Sequence, residues 1–346
     1  MLFRAPTEIF SHRRRYAEII RILSRHGVRS VTEQLGIASL IPFNLGWFQR
    51  PADGQPKTQA EHVRAALEDL GTTFIKLGQI MSTREDLLPP AYISELSKLQ
   101  DRVPPVPTAD IRAVIEESFG KPVNELFRSF VDEPLAAASI GQVHAAELVT
   151  GESVVVKVQK PGVAAQIDED LAILQQLAHF AQNRAPVAEA YDLVALVDEF
   201  GWTLRSELDY MREGRNAETF RENFLDSTEL VIPRIYWDLT TPRVITQSRI
   251  QGVSIDDVRA INAMNISRVD LATRAVRITL DEIFEHRFYH ADPHPGNFSV
   301  LPDGRIVAYD FGMWDASMTA PTTRCSRSRP VSFVKTPTRS STGWPC

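Results

Sequence analysis

Asp292, Asn297 and Asp310 are the residues of this 346-residue chain whose types and spacing most directly suggest chemistry. They stand in His290-Ala291-Asp292-Pro293-His294-Pro295-Gly296-Asn297 and in Asp310-Phe311-Gly312. A carboxylate, a carboxamide five residues later and a second carboxylate in an Asp-Phe-Gly triplet form the spacing of phosphoryl-transfer sites. In such a site one carboxylate orients or deprotonates the acceptor. The carboxamide and the second carboxylate hold metal ions on the phosphates. Val300 to Val307, with Pro302-Asp303-Gly304 at its centre, predicts a short hairpin that returns Asp310 to the side of Asn297. Either motif alone could be turn-capping aspartates, but the two together, joined by a hairpin, outweigh that reading.

Phosphates need a cation before they need an acid or a base. Lys157 lies in Val154-Val155-Val156-Lys157-Val158, a β-branched run interrupted by one charge. A lysine buried along such a strand is costly unless paired, so a functional lysine is favoured over a surface one. Its partner should be a carboxylate on a nearby helix. Glu207, Asp209 and Glu213 are the candidates, and helical spacing puts Asp209, Glu213 and Asn216 on one face with Glu207 elsewhere. The loop covering the phosphates should precede Lys157. Ala136-Ala137-Ala138-Ser139-Ile140-Gly141-Gln142-Val143 stands there, with alanines where glycines are usual. Small residues permit close backbone approach, yet alanine lacks glycine's access to positive φ, which predicts a stiffer loop.

The elements that must position these residues read as follows. Ser11 to Leu35 predicts a basic amphipathic helix, with Tyr16, Ile19, Ile20, Leu23 and Val28 on one face. It can pack on its own domain with solvated arginines or lie on an anionic membrane surface. Pro51 to Lys57 reads as a linker. Gln59 to Leu99 is helical in pattern until the prolines at 89–90 and 104–107, and Asp110 to Phe119 is a helix closed by Gly120. Ser139 to Leu148 and Ser153 to Gln159 form a hairpin. Asp168 to Ala181 and a long stretch from Tyr191 to Phe224 are helical, Leu230 to Ile232 and Arg243 to Gln247 are strands, and Ile255 to Phe288 is mostly helical. A strand-rich lobe followed by a helical lobe is an α+β, bilobal, protein-kinase-like fold.

Composition agrees with a soluble globular chain: 43% hydrophobic and 24% charged residues. A net charge of −6 argues against electrostatic binding of nucleic acid. No run approaches a membrane span, and the arginines interrupt any secretory leader. Both cysteines, Cys325 and Cys346, fall in the last segment, so a cytoplasmic location, with peripheral membrane attachment as the alternative, fits best.

At this point the chain resembles the UbiB family of atypical protein-kinase-like proteins. The match rests on Lys76-Leu77-Gly78-Gln79 (the family's KxGQ), the Ala136–Val143 loop, Glu207-Leu208-Asp209 (its ExD), and the Asp292, Asn297 and Asp310 motifs. The resemblance implies ATP and Mg2+ as cofactors. Lys157 would bind the phosphates and pair with Glu213, Asp292 would occupy the catalytic-base position, and Asn297 and Asp310 would be metal ligands. Ala136, Ala137, Ala138 and Ser139 would cover the nucleotide. Lys76 and Gln79 would dock near Glu207 and Asp209 and occlude a protein-substrate groove. The family supports ubiquinone or other prenyl-quinone metabolism at membranes, so its implied partners are a nucleotide, a prenyl-quinone lipid or membrane surface, and quinone-biosynthesis proteins. A catalytically impaired nucleotide- or lipid-binding module is the alternative. Small-molecule phosphotransferases share the HxDxxxxN pattern but would not carry Lys76-Gln79.

Two departures stand out. The hinge reads Thr246-Gln247-Ser248-Arg249-Ile250-Gln251-Gly252, without the family's usual acid. From Met313 to Cys346 the chain is dominated by Ser, Thr, Pro and Arg, with neither Leu nor Ile, which predicts disorder and a frame-shifted or truncated product with an incomplete C-lobe. The expected domains are a basic helix and linker (1–57), a helical KxGQ extension (58–120), a kinase-like N-lobe (121–254), a partial C-lobe (255–312) and the tail (313–346).

Overall fold

A computed structural model describes residues 12–26, 58–99, 104–182, 191–290, 295–312 and 314–315. Its helices, in chain order, are α1 (Arg13–Arg25), α2 (Gln59–Leu70), α3 (Thr72–Met81), α4 (Pro90–Leu96), α5 (Thr108–Phe119), α6 (Val123–Leu126), α7 (Val163–Gln182), α8 (Leu193–Glu207), α9 (Tyr210–Asn223), α10 (Val258–Ala263) and α11 (Arg268–Leu280). The strands are β1 (Phe127–Phe130), β2 (Ala136–Ala137), β3 (Gly141–Leu148), β4 (Ser153–Gln159), β5 (Leu230–Val231), β6 (Val244–Ser248), β7 (Val253–Ser254), β8 (Tyr289–His290), β9 (Phe298–Val300), β10 (Ile306–Ala308) and β11 (Trp314–Asp315). The fold is α+β. It divides into two units, one drawn from residues 1–100 and 164–204, the other from 101–163 and 205–325.

The first unit is helical. Ile19 and Ile22 of α1 pack with Ala66, Leu70, Phe74 and Ile173 in one core. Arg15 corrects the expectation that the arginines of this helix are solvated. Its side chain is only 10% exposed and ion-pairs with the fully buried Asp170 of α7, Nε to Oδ1, at 2.7 Å. The α2–α3 region is not one helix: Gly71, at φ 92°, breaks it. A Thr58–Glu61 capping box starts α2. Pro90 opens α4 at its first turn, where a missing N–H costs nothing. The rest of the sequence-based helix from Ser11 to Leu35, and the linker Pro51 to Lys57, fall outside the described residues.

The second unit holds an antiparallel sheet in the order β1-β3-β4-β6, with β2 also on β3. A second sheet runs β5-β10-β9-β7, its β5–β10 pair parallel. Val154, Val156 and Val158 alternate into a core with Ile111, Val114, Ile115 and Phe127, which leaves Lys157 and Gln159 on the opposite face. A second core gathers Tyr210, Phe220, Ile245, Val300 and Phe311. Gly120 closes α5 in the left-handed region, as its position after the helix requires. Trp314 and Asp315 pair in register with His290 and Tyr289, so the expectation of disorder from Met313 onward is not met at these two residues. The remainder of the tail, with both cysteines, lies outside the described residues.

Candidate active site

The site is built in the second unit around Lys157. Its ammonium donates to both carboxylate oxygens of Glu213 on α9, at 2.9 Å each, and lies 3.8 Å from Asp310 Oδ2. Burial alone would lower its pKa, but Asp310 and Glu213 outweigh burial and hold it well above the ordinary lysine value. The ammonium therefore stays charged. Burial pushes Glu213 up to about 7, against the pull of Lys157.

The stretch from Tyr191 to Phe224 is two helices rather than one. The break falls at Leu208-Asp209, because Asp209 caps α9: its carboxylate accepts from the Arg212 backbone N–H at 3.1 Å. An aspartate satisfies a free helix N–H better than it tolerates a helix interior. Asp209 therefore stands at the helix start, one turn before Glu213, whose backbone N–H donates to the Asp209 carbonyl at 3.1 Å. Glu207 is the last residue of α8. Gln159 secures the break by donating to the carbonyls of Leu208 and Pro242. Asn216, one turn beyond Glu213, donates to the Phe311 carbonyl at 2.8 Å and so ties α9 to the Asp-Phe-Gly segment.

The hairpin read from Pro302-Asp303-Gly304 forms as β9 and β10, with Ile306 opposite Val300 and Gly304 at φ 83°. Beyond it the Tyr309 N–H donates to the Asn297 carbonyl at 3.0 Å, which brings the two metal-ligand candidates into neighbouring backbone. Phe311 is buried against Phe220, with ring centroids 5.8 Å apart. Asp310 Oδ1 accepts from the Gly312 N–H at 2.8 Å, and its side chain remains 41% exposed. Hard oxygen donors of this kind suit Mg2+, which is held by one or two side chains plus substrate phosphates. Among the described residues no group of three or more His, Cys, Asp and Glu side chains is placed to hold a metal by itself.

In the alanine loop, Ala136 and Ala137 pair with Val143 and Gln142, and the Ala138 N–H donates to the Gly141 carbonyl at 2.9 Å. None of residues 136–141 takes a positive φ, so alanine costs nothing here. Gly141 is needed for space instead. A Cβ there would lie 2.5 Å from the Tyr210 hydroxyl and 2.7 Å from the Val158 carbonyl. Two polar residues of β3 escaped the sequence reading. Gln142 and His144 are fully buried; Gln142 accepts from the Val106 N–H, and His144 bonds the Val131 carbonyl at 2.9 Å. Their alternation with Val143 in a β-strand pattern was the available signal.

Asp292 lies outside the described residues, but the approach to it does not. Residues Asp281–His286 widen into a π-turn, and Arg287 follows at φ 52°. Such turns recur at functional sites. Buried Glu282 accepts from the His290 N–H at 3.2 Å, and burial pushes it up to about 7 against that hydrogen bond. In the first unit, Lys76 and Gln79 lie on α3, and the Gln79 amide donates to the Leu99 carbonyl at 3.2 Å. Gly78 between them packs against the Leu99 and Leu67 side chains, which would have to shift to admit a Cβ. No helix among the described residues is long and apolar enough to cross a membrane.

The chain is similar to known proteins over most of its length. Residues 98–326 match the ABC1 atypical kinase-like domain. The chain is 44% identical over 278 residues to a probable protein kinase UbiB of Azotobacter vinelandii, covering 79% of this chain and 51% of that one. It is 43% identical over 261 residues to the chloroplastic protein Activity of BC1 complex kinase 8 of Arabidopsis thaliana, covering 74% of this chain and 34% of that one. It thus spans about half and about a third of these relatives. A solved structure of Rv3197 from Mycobacterium tuberculosis, in complex with erythromycin, superposes with a TM-score of 0.54 at 32% identity, over 72% of this chain and 62% of that one. With that domain matching well over half of this chain, the chain belongs to the ABC1 (UbiB) family of atypical kinase-like proteins.

Proposed function

We propose that this chain binds MgATP and acts as an atypical kinase or ATPase in support of ubiquinone-type prenyl-quinone metabolism. The observation that carries the nucleotide reading is the charged Lys157 held by Glu213 at 2.9 Å while Asp310 stands 3.8 Å away, partly exposed. Lys157 would meet the phosphates, with Glu213 fixing its direction. Asn297 and Asp310 would hold Mg2+, which supplies charge neutralisation along the phosphates. Asp292 would orient the acceptor. Residues 136–139 would cover the nucleotide with backbone rather than with side chains. The parts given to Lys76, Gln79, Glu207 and Asp209 rest on the family resemblance, as does the lipid or membrane partner.

A thermal-shift titration with MgATP, repeated on Asp310→Asn, tests the reading. The native midpoint should rise by about 2–5 °C at saturation, and the variant's should not. An equal rise in both overturns the role of Asp310. Phosphate release that vanishes in Asp292→Ala marks an enzyme. Binding that depends on Asp310 without turnover marks the second reading, a nucleotide-responsive module.

A further inference from the structure

Tyr210 is the second observation at this site that points to a ligand. It is 1% exposed, and its hydroxyl has no hydrogen-bond partner among the described residues. A buried hydroxyl left unpaired is unfavourable, and native structures rarely keep one without a reason. Burial also pushes the phenol far above its ordinary pKa, so it remains a protonated donor. Its place is specific. The ring lies under the Lys157 ammonium, 5.0 Å from Nζ to centroid, and the hydroxyl rests against Gly141, directly after the Ser139–Ile140 turn of the alanine loop. An orphan donor therefore sits between the cation expected to bind phosphate and the loop expected to cover it.

We propose that the Tyr210 hydroxyl is a binding residue for the phosphate end of the nucleotide: it donates a hydrogen bond to a phosphate oxygen once the Ser139–Ile140 turn yields to the ligand. The inference rests on the MgATP reading above. The chemistry is suited to it, since a neutral donor beside Lys157 adds a directed bond without adding charge. The geometry also gives Gly141 a purpose, because any side chain there would displace the hydroxyl from this position.

Tyr210→Phe removes one oxygen and keeps the ring, its core contacts and the Lys157 contact. Calorimetric titration of native protein and variant with MgATP, MgADP and adenosine, alongside melting without ligand, separates the outcomes. The variant should melt at the native temperature or higher, because an unsatisfied group has been removed. It should bind MgATP and MgADP about tenfold more weakly and adenosine equally well. Unchanged MgATP affinity overturns the proposal while leaving the nucleotide reading intact. An equal loss for adenosine overturns the phosphate assignment. A variant that melts much lower, or fails to fold, shows that the hydroxyl serves the protein rather than a ligand, and this also overturns it. A native chain that binds no MgATP overturns the underlying reading and the proposal together.

Discussion

Among the described residues, each unit holds a cation on a buried carboxylate, Arg15 on Asp170 and Lys157 on Glu213, and the two pairs are built differently. In the helical unit, each nitrogen of the Arg15 guanidinium and each oxygen of Asp170 is hydrogen-bonded. Arg15 Nε donates to Asp170 Oδ1 at 2.7 Å, Nη2 donates to Asp170 Oδ2 at 3.1 Å and to the Leu70 carbonyl at 2.7 Å, Nη1 donates to Glu18 at 3.1 Å, and Thr73 donates to Asp170 Oδ2 at 2.7 Å. In the sheet-bearing unit, Lys157 meets both oxygens of Glu213 but stops short of Asp310, and its side chain is 25% exposed. One pair is held by neighbours on every nitrogen and every oxygen. The other holds a charge in place with one side open. A closed pair staples helices together; an open one is positioned to receive a ligand.

Glu282 is a third buried acid and falls between these cases, since among the described residues it accepts from a backbone N–H, that of His290, rather than from a cation.

Three variants would break or sharpen the contrast. The largest effect should come from Arg15→Met, which strands Asp170 without its cation in a site with no exposure. Breaking a buried pair in this way costs about 3–5 kcal/mol, measurable by urea unfolding. A loss below about 1 kcal/mol would mean the pair is no staple.

Next comes Glu282→Gln, read as a function of pH. A carboxyl raised from 4.5 to about 7 on folding binds its proton more tightly in the folded state. Its favourable contribution is complete below pH 4.5 and is lost as the pH rises to about 7. Glutamine keeps an acceptor for the His290 N–H and does not titrate. The variant should match native stability near pH 4.5 and exceed it by up to about 3 kcal/mol above pH 7. A difference that does not vary with pH would mean that Glu282 is paired with a charge.

The smallest effect on stability should come from Lys157→Met. Glu213 already titrates near 7 and can take up a proton once its partner is gone. The expected cost at pH 6 is about 1 kcal/mol or less, even though MgATP binding should be lost. A cost as large as that of Arg15→Met would erase the distinction between the two pairs.

The parts of the fold legible in the sequence were those set by short-range rules. The Pro302-Asp303-Gly304 turn, the glycine after α5 and the alternating valines of β4 each follow from residues a few positions apart. The breaks at Gly71 and Asp209 were missed because an apolar pattern at three- and four-residue steps runs through both. At Gly71 a left-handed glycine stops the helix, and at Asp209 a capping carboxylate does. The burial of Arg15 was missed for a different reason. Nothing near an arginine in an amphipathic helix reveals that a carboxylate 155 residues away lies opposite. Tyr210 and Glu282 likewise look ordinary in sequence; one reads as an aromatic in a helix and the other as one of many acids.

The sequence by itself determined the chemistry on offer: an aspartate, an asparagine and a second aspartate joined by a hairpin, with a lysine on a β-branched strand. Those features depend on spacing, and spacing survives without a fold. Only the tertiary structure decided which acid of Glu207, Asp209 and Glu213 faces Lys157, because that choice depends on how α9 starts and docks against β4. It also decided that the phenol beside that pair is buried without a hydrogen-bond partner among the described residues. Hydrogen-bond satisfaction is a property of three-dimensional neighbours, and these come from segments far apart along the chain.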